Sequence, residues 1–522
     1  MKIALALVSL ALAANAAPLP RIEKASGHYR LLVDGAPFLV LAAQVHNSSG
    51  WPAQMEQLWP AAHAMHLNTV EVPVYWEDIE PVQGQFHFDT VDAIVSQARR
   101  ENFRLVLLWF GTWKNGTMDY APAWIKSDAA RYPRMLDESR HAVRTLSPLS
   151  HTTRDADAAA FRALLGHLKQ TDGDTHTVIL IQVENEPGSL GTDRDYSAEA
   201  NRVFDGAVPE ALVRKLGRKP GTWTQVFGDE AGEAFSAWSV SSYINAVAEA
   251  GKQEYSLPMY VNVWLREQKN FMRPGEAYPS GGATTNMLAL WKANAPALDL
   301  IAPDNYVLDP DNYMGVLDAY RRADNALLIP ETGGPRFPSY EFSAIATYGA
   351  LGFSPFGLDS YWQNGKLIEL GEAYAVNNRL LAAVSPWILK LRDEGKLKAA
   401  IEAPLLTEQL LKFDDFEVLV QFGRAVASYG GSIAQGNPEP TGHALVGELS
   451  PGEFVILGAN ARVQFRPRRG SEKTHAEFIS VEEGTAPDGV WKSTRRLNGD
   501  ETFFGVALPA GGRLLHAKVE SY

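Results

Sequence analysis

From about residue 35 to 365 the chain alternates short β-rich apolar runs with stretches whose apolar residues recur at helical spacing. Phe38-Leu39-Val40-Leu41 reads as a first strand, and Met55, Leu58, Trp59, Ala62 and Met65 as the face of the helix after it. Asn68 to Val74 is the second strand, followed by a helical stripe of Val91, Ile94, Val95 and Ala98. Phe103 to Phe110, apolar except for Arg104, is the third. Phe161, Leu164, Leu165 and Leu168 mark a helix before the fourth, Thr177 to Val183. Pro258–Trp264, Leu300–Asp304, Ala326–Pro330 and Ala350–Asp359 supply the fifth to the eighth. Strands apolar on both faces, alternating with helices in eight units, predict an α/β fold, a (β/α)8 TIM barrel. The alternative is a doubly wound open sheet, but no Gly-x-Gly-x-x-Gly follows the first strand.

Past Arg392 the texture changes to short strands such as Phe416–Gln421, Glu453–Leu457 and Arg462–Phe465. Trp491 to Val506 contains Asn498-Gly499-Asp500, read as a hairpin turn. A C-terminal antiparallel β-sandwich-like domain is therefore expected over 391–522, behind a barrel at 18–390.

The first residues add a compartment. Met1-Lys2, an apolar run from Ile3 to Ala14 and the small-x-small Ala14-Asn15-Ala16 read as a signal peptide over 1–17. The run is shorter than the ~20 residues a bilayer span needs, so no membrane insertion is expected. The 522 residues contain no Cys, which excludes disulfides, thiolate metal sites and Cys nucleophiles. A Cys-free exported chain of this size points to a bacterial periplasm or exterior. Net charge is -13, against the basic footprint of a nucleic-acid binder.

Chemistry in a parallel barrel sits at the C-terminal ends of the strands. The fourth strand runs into Glu184-Asn185-Glu186-Pro187-Gly188 and the seventh into Glu331-Thr332-Gly333-Gly334. Carboxylates at strand exits also cap helices through the macrodipole. A pair at strands four and seven, however, is what glycosidic cleavage needs. One is held protonated for the leaving oxygen, and the other is ionised to attack the anomeric carbon or to activate water.

These residues carry a resemblance. Ile181-Gln182-Val183-Glu184-Asn185-Glu186 resembles the acid/base segment of glycoside hydrolase family 35, the β-galactosidases. Tyr75-Trp76-Glu77-Asp78-Ile79-Glu80-Pro81 and Gln44-Val45-His46-Asn47 are similar to the segments after strands two and one in the wider clan of retaining barrel glycosidases. The resemblance covers roughly 25 to 390, and the tail resembles a β-rich module on a bacterial branch of the family. It implies a retaining, exo-acting β-galactosidase with Glu186 as general acid/base, Glu331 as nucleophile and Asn185 on the sugar 2-hydroxyl. In a straight strand Glu184 and Glu186 share a face and Asn185 points away, so contact of Asn185 with sugar requires a bend or bulge. Glu184 is then either a hydroxyl-binding group or a support behind the site.

Gln44, Asn47 and Pro187 depart from the common family pattern, and Trp109-Phe110-Gly111-Thr112-Trp113-Lys114-Asn115-Gly116 replaces the usual galactose-binding segment. These departures resemble the branch associated with galactosyl side chains of plant polysaccharides such as xyloglucan. Trp109, Trp113, Trp264 and Trp362 lie at or past strand exits and are candidate stacking platforms, with core packing as the other reading. Lys114 and Asn115 are candidate hydroxyl ligands, and Tyr306 a candidate sugar contact or support for Glu331. His63 and His66 lack a Glu or a third ligand at zinc-site spacing, so no metal and no cofactor is expected. The expected partner is a carbohydrate; the sequence assigns no oligomeric state. Other β-glycosidases of the clan, acting on glucosides, mannosides or arabinosides, and a catalytically silent sugar-binding protein are the competing readings.

Overall fold

A computed structural model describes residues 17–25, 27–269, 273–334, 337–423, 425–428 and 431–522. Apart from Ala17, the signal-like segment lies outside the described residues.

Eight parallel strands close into a barrel: β1 (Val40–Gln44), β2 (Thr69–Tyr75), β3 (Arg104–Lys114), β4 (Val178–Asn185), β5 (Met259–Trp264), β6 (Leu300–Asn305), β7 (Ile329–Thr332) and β8 (Gly352–Pro355). Period-2 alternation sorts their side chains. On β3, Val106, Leu108 and Phe110 cluster with Tyr260, Ala302 and Leu351 of other strands. Leu105, Leu107 and Trp109 face Phe161 and Leu164 on the helix outside, α1 (His151–Asp172). Ser150 caps α1 by accepting from the Thr153 N–H, and a second long helix, α2 (Ala231–Glu254), packs along it.

One feature here is absent from the sequence pattern as read. A three-stranded meander, Arg21–Ala25, His28–Val33 and Ala36–Phe38, precedes the barrel. Its turn is Asp34-Gly35, both at positive φ (52° and 82°), so Phe38 belongs to the meander and β1 starts at Val40. Leu31 and Val33 then pack on Ile179, Leu300, Ala326 and Leu351 at the strand starts and floor the barrel.

Beyond helices α3 (Phe337–Ala346), α4 (Glu369–Ala382) and α5 (Ser385–Asp393) lie two antiparallel sheets. One has six strands and the other four, and they share a core that includes Phe416, Val418, Phe454, Ile456, Val463 and Leu515. The expected hairpin at Asn498-Gly499-Asp500 is instead one helical turn, Gly499–Thr502. Asn498 and Glu501 form a reciprocal capping box there, and that closure outcompetes the Asn-Gly turn.

The sheets are fused to the barrel. Leu445, Val455, Leu457 and Leu514 share a buried cluster with Phe342, Leu381, Ile388 and Leu391 on α3, α4 and α5. His443 is buried at this junction, with its Nε2 2.8 Å from Asn377 Oδ1 on α4. Burial pushes the His443 imidazole down to about 4, so it is neutral at physiological pH. No helix among the described residues is long and apolar enough to cross a membrane.

Candidate active site

At the exit of β4 strand alternation breaks. Glu184 and Glu186 both take positive φ, 64° and 44°, a conformation uncommon for non-glycine residues and concentrated at functional sites. Opposite them, Trp109 pairs with Val183 but Lys114 with Asn185, so residues 110–113 of β3 bulge. The two glutamates consequently part. Glu184 turns behind the site, where its Oε2 accepts from the Trp113 N–H at 2.7 Å and its carboxyl hydrogen-bonds to Asp157 of α1. Asp157 also accepts from Trp109 Nε1 at 2.9 Å, Thr112 Oγ1 at 2.6 Å and Tyr243 OH at 3.2 Å. Gly111 is required here: a Cβ would stand 2.4 Å from Trp109 Nε1 and 2.8 Å from Glu184 Oε1.

Burial, and then the Asp157 charge, push Glu184 well above the ordinary carboxylate range. The fold therefore favours protonated Glu184, and stability drains away as pH rises from the ordinary 4.5 toward the raised folded value. Glu184→Gln keeps the shape and a donor for Asp157. We expect its Tm to gain on the wild type progressively as pH rises above the ordinary carboxylate range. Glu184→Ala, which leaves the buried Trp113 N–H without its acceptor, should cost about 1–3 kcal/mol. Calorimetry over a pH series checks both, and a margin that stays flat or shrinks with pH contradicts the assignment.

Glu186 turns into the mouth. Its backbone N–H donates to Asn262 Oδ1 on β5 at 2.8 Å, and Asn262 Nδ2 donates to Asp304 Oδ2 on β6 at 2.7 Å. Glu186, Asp304 and Glu331 each bring a carboxylate oxygen within 4.8 Å of the others. Asp304 is fully buried, Glu186 nearly so, and Glu331 is partly open to solvent. Tyr306 OH donates to Glu331 Oε1 at 2.9 Å, and the buried Gln44 side chain lies near the same carboxylate.

The acids differ in their surroundings. Burial and the Glu331 charge push Glu186 up to about 7, against the opposing pull of the Lys114 ammonium and the Asp304 hydrogen bond. Burial raises Glu331 too, but Lys114, Tyr306 and Gln44 all favour its ionised form. Burial and the Glu331 charge raise Tyr306 far beyond any working pH, so it stays a phenol and a donor.

Of the residues singled out in the sequence, Asn185, Glu186, Lys114, Asn115, Tyr306 and Glu331 come together here. Lys114 Nζ donates to Asn185 Oδ1 at 2.9 Å and also to Asn115 Oδ1. The Asn115 and Gly116 N–H groups donate to the carbonyls of Asn185 and Glu186, tying the β3 bulge to the β4 exit. The segment around Ser280, beyond β5, buttresses the same turn. Ser280 and Ser189 exchange backbone hydrogen bonds at 2.9 Å, and a Cβ on Gly188 would meet the Ser280 carbonyl at 2.6 Å.

Trp109 and Trp113 must be corrected as stacking platforms. Both are buried; Trp109 packs on Phe161 and Trp113 edge-on to Tyr243, on the helix side of the wall. Glu184 likewise supports from behind and presents nothing to the mouth. Trp362 and Trp264 keep part of their rings exposed. Asp304, Asn262 and the contact of Gln44 with Glu331 were missed. Asp304 was legible by the rule that found the others, since it closes the sixth strand as a carboxylate.

A closed parallel barrel with carboxyls converging from the exits of β4 and β7 is the architecture on which glycosidic bonds are cut. Comparison with known proteins gives a likeness in the same direction: residues 30–236 match the glycosyl hydrolases family 35 model. Residues 374–509 match a domain of unknown function, DUF5597. The chain is 30% identical over 183 residues to a beta-galactosidase of Xanthomonas manihotis, covering 33% of this chain and 27% of that protein. It is 29% identical over 185 residues to beta-galactosidase 17 of Arabidopsis thaliana, covering 34% and 25%. The aligned regions thus span about a quarter of these relatives' length. Among solved structures, a beta-galactosidase from the psychrophilic Marinomonas ef1 aligns with TM-score 0.48 at 14% identity, covering 68% of this chain and 61% of that one.

Proposed function

We propose that the protein is a retaining, exo-acting β-galactosidase that removes terminal β-D-galactosyl residues from plant-type oligo- or polysaccharides, xyloglucan side chains among them. The observation that carries this is the opposed pair Glu186 and Glu331, with oxygens within 4.8 Å and unequal surroundings. That closeness is nearer the ~5–5.5 Å carboxyl separation of retaining enzymes than the ~6.5 Å or more of an inverting pair.

Glu331, kept ionised by Tyr306, Gln44 and Lys114, attacks the anomeric carbon. Glu186 gives its proton to the departing oxygen. Glu186 then takes a proton from water, which displaces Glu331 and releases the sugar with its configuration kept. Asn185 Nδ2 is buried with no partner among the described residues, which supports a hydrogen bond to the 2-hydroxyl. Lys114, 7% exposed, is in reach of neighbouring hydroxyls. The run from Ile3 to Ala14 with Ala14-Asn15-Ala16 supports export to the periplasm or exterior.

A panel of aryl β-glycosides tests the sugar, with the product anomer followed by NMR. Preference for the galactoside with the β-anomer appearing first is expected. Preference for a glucoside, mannoside or arabinoside would reassign the substrate, and binding without any product would reduce the protein to a sugar-binding one. Galactosylated xyloglucan oligosaccharides, galactan and lactose compared side by side then resolve the natural linkage.

A further inference from the structure

Three carboxyls, not two, meet in the mouth, and the third has no place in the mechanism above. Asp304 is fully buried at the end of β6. One of its oxygens is fixed by Asn262 Nδ2, whose own Oδ1 is fixed by the Glu186 N–H, so the amide cannot turn over without losing both bonds. A carboxylate oxygen of Asp304 lies within 4.8 Å of one on Glu186 and of one on Glu331. Three carboxyls this close and this buried cannot all be ionised, so the cluster holds at least one proton, and Asp304, the most deeply buried of them, is where losing it costs most.

We propose that Asp304 is a positioning residue: a carboxylic acid that keeps its proton throughout turnover and donates it as a hydrogen bond to Glu186, aiming that carboxyl and stabilising it each time it becomes a carboxylate. The inference rests on Glu186 being the acid/base. The proton balance is simple. Glu186 passes its own proton to the leaving oxygen and recovers one from water, while the Asp304 proton never leaves Asp304. Burial, then the Glu331 and Glu186 charges, hold Asp304 well above the carboxylate range, which fits this division. The groups facing the pair are Glu331 on β7, Lys114 on β3 and Tyr306 on β6, with Tyr260 on β5 and Tyr320 feeling the Asp304 charge from further in. Of these only Lys114 is cationic, and it is taken up by Asn185 and Asn115. It therefore does not replace the Asp304 donor.

Asp304→Asn and Asp304→Ala separate a neutral donor from a charge. Asparagine can accept from Asn262 Nδ2 and donate its own amide to Glu186, reproducing the protonated acid. D304N should keep kcat within a few-fold and the basic limb of the kcat/KM profile near its wild-type position. D304A removes a donor that favours ionised Glu186. Its basic limb should climb by about one pH unit, and kcat on a poorly activated galactoside should fall about 10-fold or more. If Asp304 instead carries a charge, D304N relieves Glu186 of a neighbouring anion and the limb moves down, which overturns the proposal. So would an unshifted limb in D304A. Infrared difference spectra, wild type minus D304N at neutral pH, need no turnover and should show a protonated-carboxyl band. A carboxylate band there overturns the proposal even if the wild type hydrolyses none of the glycosides, a result that would separately refute the role given to Glu186.

Discussion

Glu331→Ala is expected to abolish turnover of aryl β-galactosides, by roughly 10⁴-fold or more, without loss of the fold. The side chain stands partly open at the mouth, held by the Tyr306 hydroxyl and not by core packing, so its removal leaves a cavity that solvent reaches. A small anion can use that space. Added azide should restore turnover and yield the α-galactosyl azide, because azide would attack from the face Glu331 occupied. Steady-state rates with and without azide, with NMR of the product, check this. A variant within tenfold of the wild type would show that another group attacks.

Glu186→Ala removes proton transfer while leaving attack possible. Turnover of substrates with poor leaving groups should fall about 10²–10⁴-fold. A highly activated aryl galactoside should still release its phenol quickly and then stall, since no base remains to activate water. The pH dependence gives a sharper test. Glu186 is pushed up to about 7 and must be protonated to act, so wild-type kcat/KM should fall as pH rises through about 7. In the alanine variant that limb should vanish, and azide should restore the second step with the β-galactosyl azide as product. A basic limb that persists unchanged would assign the acid elsewhere.

Much of this site was legible from where the strands end. Glu186 and Glu331 were reached by asking which strands run into a carboxylate followed by a Gly or Pro turn, and both lie in the mouth. Tyr306, Lys114, Asn115 and Asn185 followed from the same positions. The tryptophans misled because residue type was weighed above strand parity. Trp109 has the parity of Leu105 and Leu107, which face the helices, so its indole belonged to the core whatever its affinity for sugars. The opposite failure occurred at Glu184, where parity would have placed it with Glu186 had two left-handed residues and a bulge in β3 not intervened. Such breaks depend on contacts between strands and with α1, which no local pattern records. Asp304 escaped for a plainer reason: a search for a pair stops at two.

In the proposed reaction Glu331 is the group that bonds to the sugar while Glu186 faces it. A 2-deoxy-2-fluoro-β-galactosyl fluoride forms the glycosyl-enzyme quickly and releases it slowly, so the bond can be located by mass spectrometry of proteolytic peptides. The predicted result is one sugar per chain, on the peptide containing Glu331, with lactose or galactose slowing its attachment. A sugar on any other residue, or none attached to an enzyme that is demonstrably turning over galactosides, would contradict it.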